Sequence, residues 1–230
     1  MKLRRTLAAL AATTAALGTV IATPSDAHPA TAPVVTGNGW KINAARGITH
    51  IDTANWTIAF HDATSRTKLT PYVKNTATEL ASYLGVKFTV TTRIVPATQG
   101  ACPSGHVISL RYMSKPVPDY PRRSISYSCG TPRLAADGSY IFINADYWTA
   151  AARLPEYSRM NMIWHEMGHA VGLAHPDTCP YNSTGIKPIM CSTVSGYHDL
   201  RTRRYTSWER TGFRQLIANR AYALPALAAP

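Results

Sequence analysis

The sequence predicts one domain of mixed helices and strands, an α+β fold built in layers. Runs of alternating apolar and polar residues, which are typical of strands with one buried face, recur through the middle of the chain. Segments with helical spacing lie on either side of these runs, so the order is strand, helix, several strands and helix. About 200 residues follow the N-terminal leader, which is enough for one domain with a substantial core.

The first two elements in chain order are a strand over 56–63 and a helix over 69–85. The strand segment, WTIAFHDA, is mostly apolar. In the next segment apolar residues recur near the helical period, Pro71 suits a helix start and Gly85 suits a helix stop.

Three strands and a second helix follow. The segments 86–95, 106–113 and 139–148 alternate apolar and polar residues, and the turn signal ADG precedes the last of them. The second helix is predicted from Ser158, a suitable N-cap, to about Val171, and its apolar stripe predicts that it is buried.

The N-terminus has the pattern of a secretory signal peptide. Three basic residues precede an uncharged run rich in Ala, Leu and Thr, and small residues surround a plausible cleavage site after Ala27. The alternative is a membrane anchor, but the run is shorter than the roughly 20 residues that a spanning helix needs. The sequence therefore predicts a signal peptide over 1–27, by the general or the twin-arginine route, and a mobile segment over 28–50.

The charge of the chain is strongly positive but dispersed. The whole sequence carries +12, and removing the leader takes away three basic residues and one acidic residue, which leaves 21 − 11 = +10. A basic balance can indicate nucleic-acid binding. The densest basic group, Arg201, Arg203 and Arg204, is short. We therefore expect a soluble, secreted basic protein, monomeric, with no nucleic-acid partner and no membrane span.

Four cysteines in an exported chain predict two disulfides. Three pairings are open, and we favour neighbours in sequence, Cys102 with Cys129 and Cys179 with Cys191. A zinc-finger site is a weak alternative, because no two cysteines are two to four residues apart.

The stretch HEMGHAVGLAH has the spacing of a metal site. His165 and His169 lie one turn apart on the predicted helix, so both imidazoles can reach one ion. Glu166 is adjacent to the first ligand, where its carboxylate can act on a water molecule without being a ligand. Gly172 can end the helix in a sharp turn, which lets His175 return as the third ligand.

Coincidence is a poor explanation of this pattern. From the composition of the chain, the five residues are expected at this spacing on the order of once in 100,000 chains of this length. The alternative is a buried helix whose histidines pair with backbone groups. Four other histidines have no such spacing and are predicted to be ordinary surface or strand residues: His28, His50, His61 and His106.

The motif, together with the later stretch KPIMC, resembles the signature of the metzincin clan of zinc endopeptidases. The second stretch is similar to the Met-turn of that clan. This similarity implies that Met190 packs beneath the zinc ligands and does not itself bind the metal. The small size resembles matrixins of the secreted bacterial type, and Pro176 after the third histidine is similar to serralysins. Ser192 stands where astacins and serralysins carry a tyrosine ligand.

This resemblance implies the fold in more detail. Members of the clan have a zincin-like, twisted mixed β-sheet with an antiparallel edge strand, an active-site helix, the Met-turn and a C-terminal helix. The segment 206–224 fits the last helix, and Thr206-x-x-Glu209 is typical of a capping box. The catalytic domain would span 51–230, although only 165–191 carries the specific motifs.

The resemblance also implies the activity. One catalytic Zn²⁺ would be held by His165, His169 and His175, and Glu166 would be the general base in hydrolysis of internal peptide bonds. The substrate would be an extended polypeptide of an extracellular protein, and Tyr197 and His198 are candidates for lining its specificity pocket. The alternative is a secreted zinc-containing protein, a binder or toxin-like, without broad proteolytic activity.

Overall fold

The computed structural model describes residues 32–120, 123–149, 155–191 and 204–223. The predicted signal peptide 1–27 and the candidate pocket residues Tyr197 and His198 lie outside these ranges.

The N-terminal part of the described chain forms a small antiparallel sheet. Strands β1 (Thr36–Gly37) and β2 (Trp40–Ile42) pair with each other, and β2 also pairs with β9 (Leu173–Ala174). From residue 36 onwards, the segment predicted to be mobile over 28–50 thus contains two strands, and Ile42 and Ile48 are in the core. Strands of two or three residues are too short to produce a periodic sequence signal.

The main sheet has six strands in the order β3-β8-β6-β4-β5, with β7 added on β8. All pairs are parallel except the β7–β8 pair, which is antiparallel. The strands are β3 (His50–Ile51), β4 (Trp56–Phe60), β5 (Phe88–Ile94), β6 (Val107–Met113), β7 (Ile125–Gly130) and β8 (Ala135–Asn144). The predicted mixed architecture of helices and strands is confirmed.

The predicted strands over 56–63, 86–95, 106–113 and 139–148 correspond to β4, β5, β6 and β8. β8 is buried on both faces, not on one, because helices cover one face and a chain segment covers the other. On that second face Tyr140 and Phe142 pack with Ala97, beneath a segment joined to β7 by the Cys102–Cys129 disulfide.

Helix α1 (Ala63–Leu84) begins earlier than predicted. The side chain of Asp62 accepts a hydrogen bond of 2.6 Å from the backbone N–H of Ser65, which caps the helix, and Pro71 lies inside it. Gly85 ends the helix in the left-handed conformation, φ 66°, as the sequence predicts.

Three helices follow the sheet: α2 (Glu156–Ala170), α3 (Ser207–Ala218) and the short α4 (Arg220–Ala223). α2 begins after Pro155 and not at Ser158, which is buried in its first turns. α1 contacts both α2 and α3, so the three long helices form one layer on the sheet. Within the described residues, none of the helices has the length and apolarity needed to cross a bilayer.

Candidate metal centre

Three imidazoles converge at the C-terminal end of α2. The Nε2 atoms of His165 and His169 are 3.0 Å apart, those of His169 and His175 are 3.0 Å apart, and those of His165 and His175 are 3.1 Å apart. This group could hold a metal ion.

The opposite ring nitrogens fix the orientation of two of these rings. His165 Nδ1 lies 2.8 Å from the carbonyl oxygen of Ile189, and His169 Nδ1 lies 2.8 Å from that of Leu173. A carbonyl can only accept, so each Nδ1 carries the proton and donates it. Each Nε2 therefore presents a lone pair to the centre of the group, which is the tautomer that a metal ligand requires.

The donor set suits a first-row transition metal. Neutral imidazole nitrogen is a ligand for zinc, copper, iron and nickel. An ion at the usual zinc–imidazole distance of about 2.0–2.1 Å from each nitrogen fits over a triangle of this size. The residues present therefore fit a metal ion bound by three histidines.

Burial favours the neutral, ligating form of the three histidines. Burial lowers the pKa of His169 to about 3, and it also lowers the pKa values of His165 and His175. A protonated imidazole has no lone pair for a metal, so a depressed pKa extends the pH range in which the group is ready to bind.

The position of His175 depends on a turn that requires glycine. α2 ends before Gly172, whose φ is 111°. A Cβ at this position would lie 2.9 Å from the side chain of Ile48, so any other residue would be both strained and crowded. The turn sends the chain back along β9 to His175.

The N-terminal strands hold this returning chain. The backbone N–H of Asn43 donates to the carbonyl of Gly172 at 2.8 Å, and β2 pairs with β9. Two residues beyond His175, Asp177 accepts a hydrogen bond of 2.7 Å from Lys41 Nζ. His175 is therefore positioned by residues more than 130 positions earlier in the chain.

Met190 packs beneath the helix. It is fully buried, and a Cβ on Gly168 of α2 would lie 2.5 Å from its sulfur. Glycine at 168 thus permits the close approach of the helix to the segment that the resemblance identifies as a Met-turn. The disulfide Cys179–Cys191 closes the loop that carries Met190.

Glu166 is buried beside His165 on α2, 3% exposed. Burial raises its pKa to about 8, and the positive charge of Arg123 partly offsets that rise. Arg123 also lowers the pKa values of His165, His169 and His175. It is exposed, and it precedes the first residue of β7 by two positions.

The structure brings together most of the residues that the sequence selects. His165, His169 and His175 converge, and both predicted disulfides are present, with no free cysteine. The other described histidines have different partners: His50 lies 3.2 Å from the hydroxyl of Thr49, His61 accepts from the N–H of Ala97, and His106 contacts Asp52.

Sequence reasoning missed three contributors. Arg123 looked like one of many scattered basic residues, and Lys41 lay in a segment predicted to be mobile. Glu209 was predicted only as part of the capping box of α3, and that capping box is present. One of its carboxylate oxygens also accepts a hydrogen bond from the backbone N–H of Met190. None of these contacts has a local sequence signal, because each joins residues far apart in the chain.

No protein-family model matches this chain, and comparison with curated proteins gives no significant match.

Proposed function

We propose that this protein is a secreted zinc-dependent endopeptidase of the metzincin type, which hydrolyses internal peptide bonds of extracellular proteins. The observation that carries the proposal is the triangle of Nε2 atoms from His165, His169 and His175, next to the buried Glu166. Among the described residues three protein ligands converge, and catalytic zinc sites keep a further position for water or substrate.

Each residue of the centre has a separate task. When bound, zinc supplies a Lewis acid for the scissile carbonyl and brings the pKa of a water molecule near 7. Glu166 accepts the proton of the attacking water and later delivers it to the leaving amine. The carbonyls of Ile189 and Leu173 keep His165 and His169 in the ligating tautomer during turnover.

The antiparallel strand β7 suggests how a polypeptide substrate binds. Within the described part of the chain β7 pairs with β8 alone, so its other edge can accept an extended peptide as an added strand. β7 also packs on α2. The hydroxyl of Ser124, just before β7, lies 2.8 Å from the sulfur of Met162, one helical turn before Glu166. A peptide on this edge would therefore run close to the metal centre.

The disulfides support the extracellular setting. Cys102–Cys129 and Cys179–Cys191 leave no free cysteine in the chain. Disulfides persist in oxidising compartments and are rare where thiols are kept reduced. Together with the signal-peptide pattern over 1–27, they favour export.

Metal analysis combined with a peptidase assay tests the proposal. The purified mature protein should carry about one zinc per chain. A chelator should abolish hydrolysis of a mixed peptide library, and added zinc should restore it. Freshly secreted, unchelated protein without zinc would contradict the metal assignment. Zinc-loaded protein that cleaves nothing across a broad set of protein substrates would instead support a zinc-containing binder.

A further inference from the structure

One peptide group connects a metal ligand to a buried carboxylate. The carbonyl oxygen of Ile189 accepts from His165 Nδ1 at 2.8 Å. The N–H of the same peptide unit, that of Met190, donates to Glu209 Oε1 at 3.0 Å. The result is a continuous chain of hydrogen bonds: Glu209 carboxylate, peptide 189–190, His165 ring.

Every member of this chain is shielded from water. Ile189, Met190 and Glu209 are fully buried and His165 is 3% exposed. In an interior of low dielectric, successive hydrogen bonds polarise one another. When a carboxylate accepts a hydrogen bond from the N–H of a peptide group, the C=O of the same peptide group becomes a stronger hydrogen-bond acceptor. A stronger acceptor at Nδ1 increases the basicity of Nε2, which is the atom that faces the metal.

The two oxygens of Glu209 have different partners. Oε2 accepts from the backbone N–H of Thr206 at 2.8 Å and contacts the hydroxyl of the same residue, which completes the capping box of α3. Oε1 is directed to Met190, outside the helix. A residue that only capped α3 would not need that second contact, so capping alone does not account for Glu209.

We propose that Glu209 is a positioning residue of the metal centre, which orients His165 and strengthens it as a ligand through the peptide 189–190. The proposal rests on the metal-binding function proposed above. His169 provides an internal comparison, because its Nδ1 donates to Leu173 of β9, whose strand partner is the backbone of β2. Glu209 should therefore affect His165 and not His169.

Zinc affinity in two matched variants tests the proposal. In the full chain, Glu209→Gln removes the negative charge, and Thr206→Ala removes one cap partner but leaves the contact between Glu209 and Met190. Zinc affinity is measured by competition with a chelating dye, on samples whose folding is checked by circular dichroism. We expect Glu209→Gln to bind zinc about tenfold more weakly or worse, the usual scale for the loss of an outer-shell partner. We expect Thr206→Ala to bind zinc as the wild type does.

The ring nitrogens distinguish a relay from general loosening. In ¹⁵N spectra of the zinc-loaded protein, Glu209→Gln should shift the Nδ1 resonance of His165 and leave that of His169 unchanged. Equal zinc affinity in Glu209→Gln and the wild type would overturn the proposal, as would equal losses in both variants. A wild-type protein that binds no zinc would instead contradict the proposed function itself.

A measurement on the wild type covers the case in which the Gln variant does not fold. Zinc added to the metal-free protein should shift the side-chain carboxyl ¹³C resonance of Glu209 and the amide resonance of Met190. The carboxyl resonance of Glu79, which contacts Tyr83, should not move. A Glu209 resonance that zinc leaves unchanged would overturn the relay.

Discussion

Two regions build the candidate metal centre, and they position its residues by different means. Helix α2 supplies His165 and His169, whose spacing follows from the period of the helix alone. The return segment, residues 172–191, supplies His175 and Met190, and its course depends on β2, on a disulfide and on Glu209. The helix region is thus specified locally and the return segment by tertiary contacts.

This difference between the helix region and the return segment predicts that substitutions in the two regions damage the protein in different ways. A change in the helix region should remove a ligand or a catalytic group while the fold persists. A change in the return segment should lower stability first, and it should weaken the metal centre because the third ligand and the acceptor of His165 are displaced.

The largest effect is expected from His169→Ala in the helix region. Two histidines leave zinc too few protein ligands, so the variant should lose metal and peptidase activity together. Zinc content and hydrolysis are measured on the same samples. His61→Ala is the control, because His61 accepts from Ala97 away from the centre and should leave zinc content unchanged. Full zinc content in His169→Ala would mean that the ligand set is different.

Removal of the Cys179–Cys191 disulfide should have the next largest effect. The two cysteines are 12 residues apart, and loss of a link of that length lowers the free energy of unfolding by about 3 kcal/mol. Replacing both cysteines by serine should also weaken zinc binding, since Ile189 and Met190 lie inside the released loop.

Replacing Cys102 and Cys129 by serine gives the matched comparison. That pair is 27 residues apart and holds β7 to the segment on the opposite face of the sheet. Thermal unfolding should show a similar loss of stability, with zinc affinity unchanged. An equal loss of zinc affinity in both double variants would contradict the expectation that only the Cys179–Cys191 disulfide supports the metal centre.

Gly172→Ala should have a smaller effect. The positive φ and the short approach to Ile48 together should lower the free energy of unfolding by about 1–3 kcal/mol. Gly100 has φ 84° with no atom within 4 Å of its ideal Cβ, so Gly100→Ala tests backbone strain alone. We expect weaker zinc binding only for Gly172→Ala. Equal zinc affinity in the two variants would contradict a role of the Gly172 turn in placing His175.

The same contrast explains how much the sequence could predict. The placement of His165 and His169 follows from the helical period, and strands β5, β6 and β8 follow from alternation of apolar residues. The cysteine count left three pairings open, and the favoured pairing of neighbours is the one present. The strands β1 and β2 are too short for such a pattern. The contacts of Lys41 with Asp177 and of Glu209 with Met190 join distant residues, so no local pattern could indicate them.

The start of α1 shows a different limit. Pro71 suggested a first turn, but the capping side chain of Asp62 begins the helix before it. A proline inside a helix removes one backbone hydrogen bond, a cost that the packing of a long buried face can offset. The buried positions of α1 extend from Ser65 to Leu84, so packing of the turns before Pro71 supports the start that the Asp62 cap sets.

Zinc content and peptide hydrolysis of Glu166→Gln, measured beside the wild type, determine whether Glu166 is the general base. Glutamine keeps the size of the side chain and removes the base, while His165, His169 and His175 remain as ligands. We predict that the variant keeps its zinc and that its peptidase rate falls by about 10²–10⁴-fold or more. A Glu166→Gln protein that holds zinc and hydrolyses peptides at the wild-type rate would contradict the assignment of Glu166 as the base and, with it, the proposed mechanism.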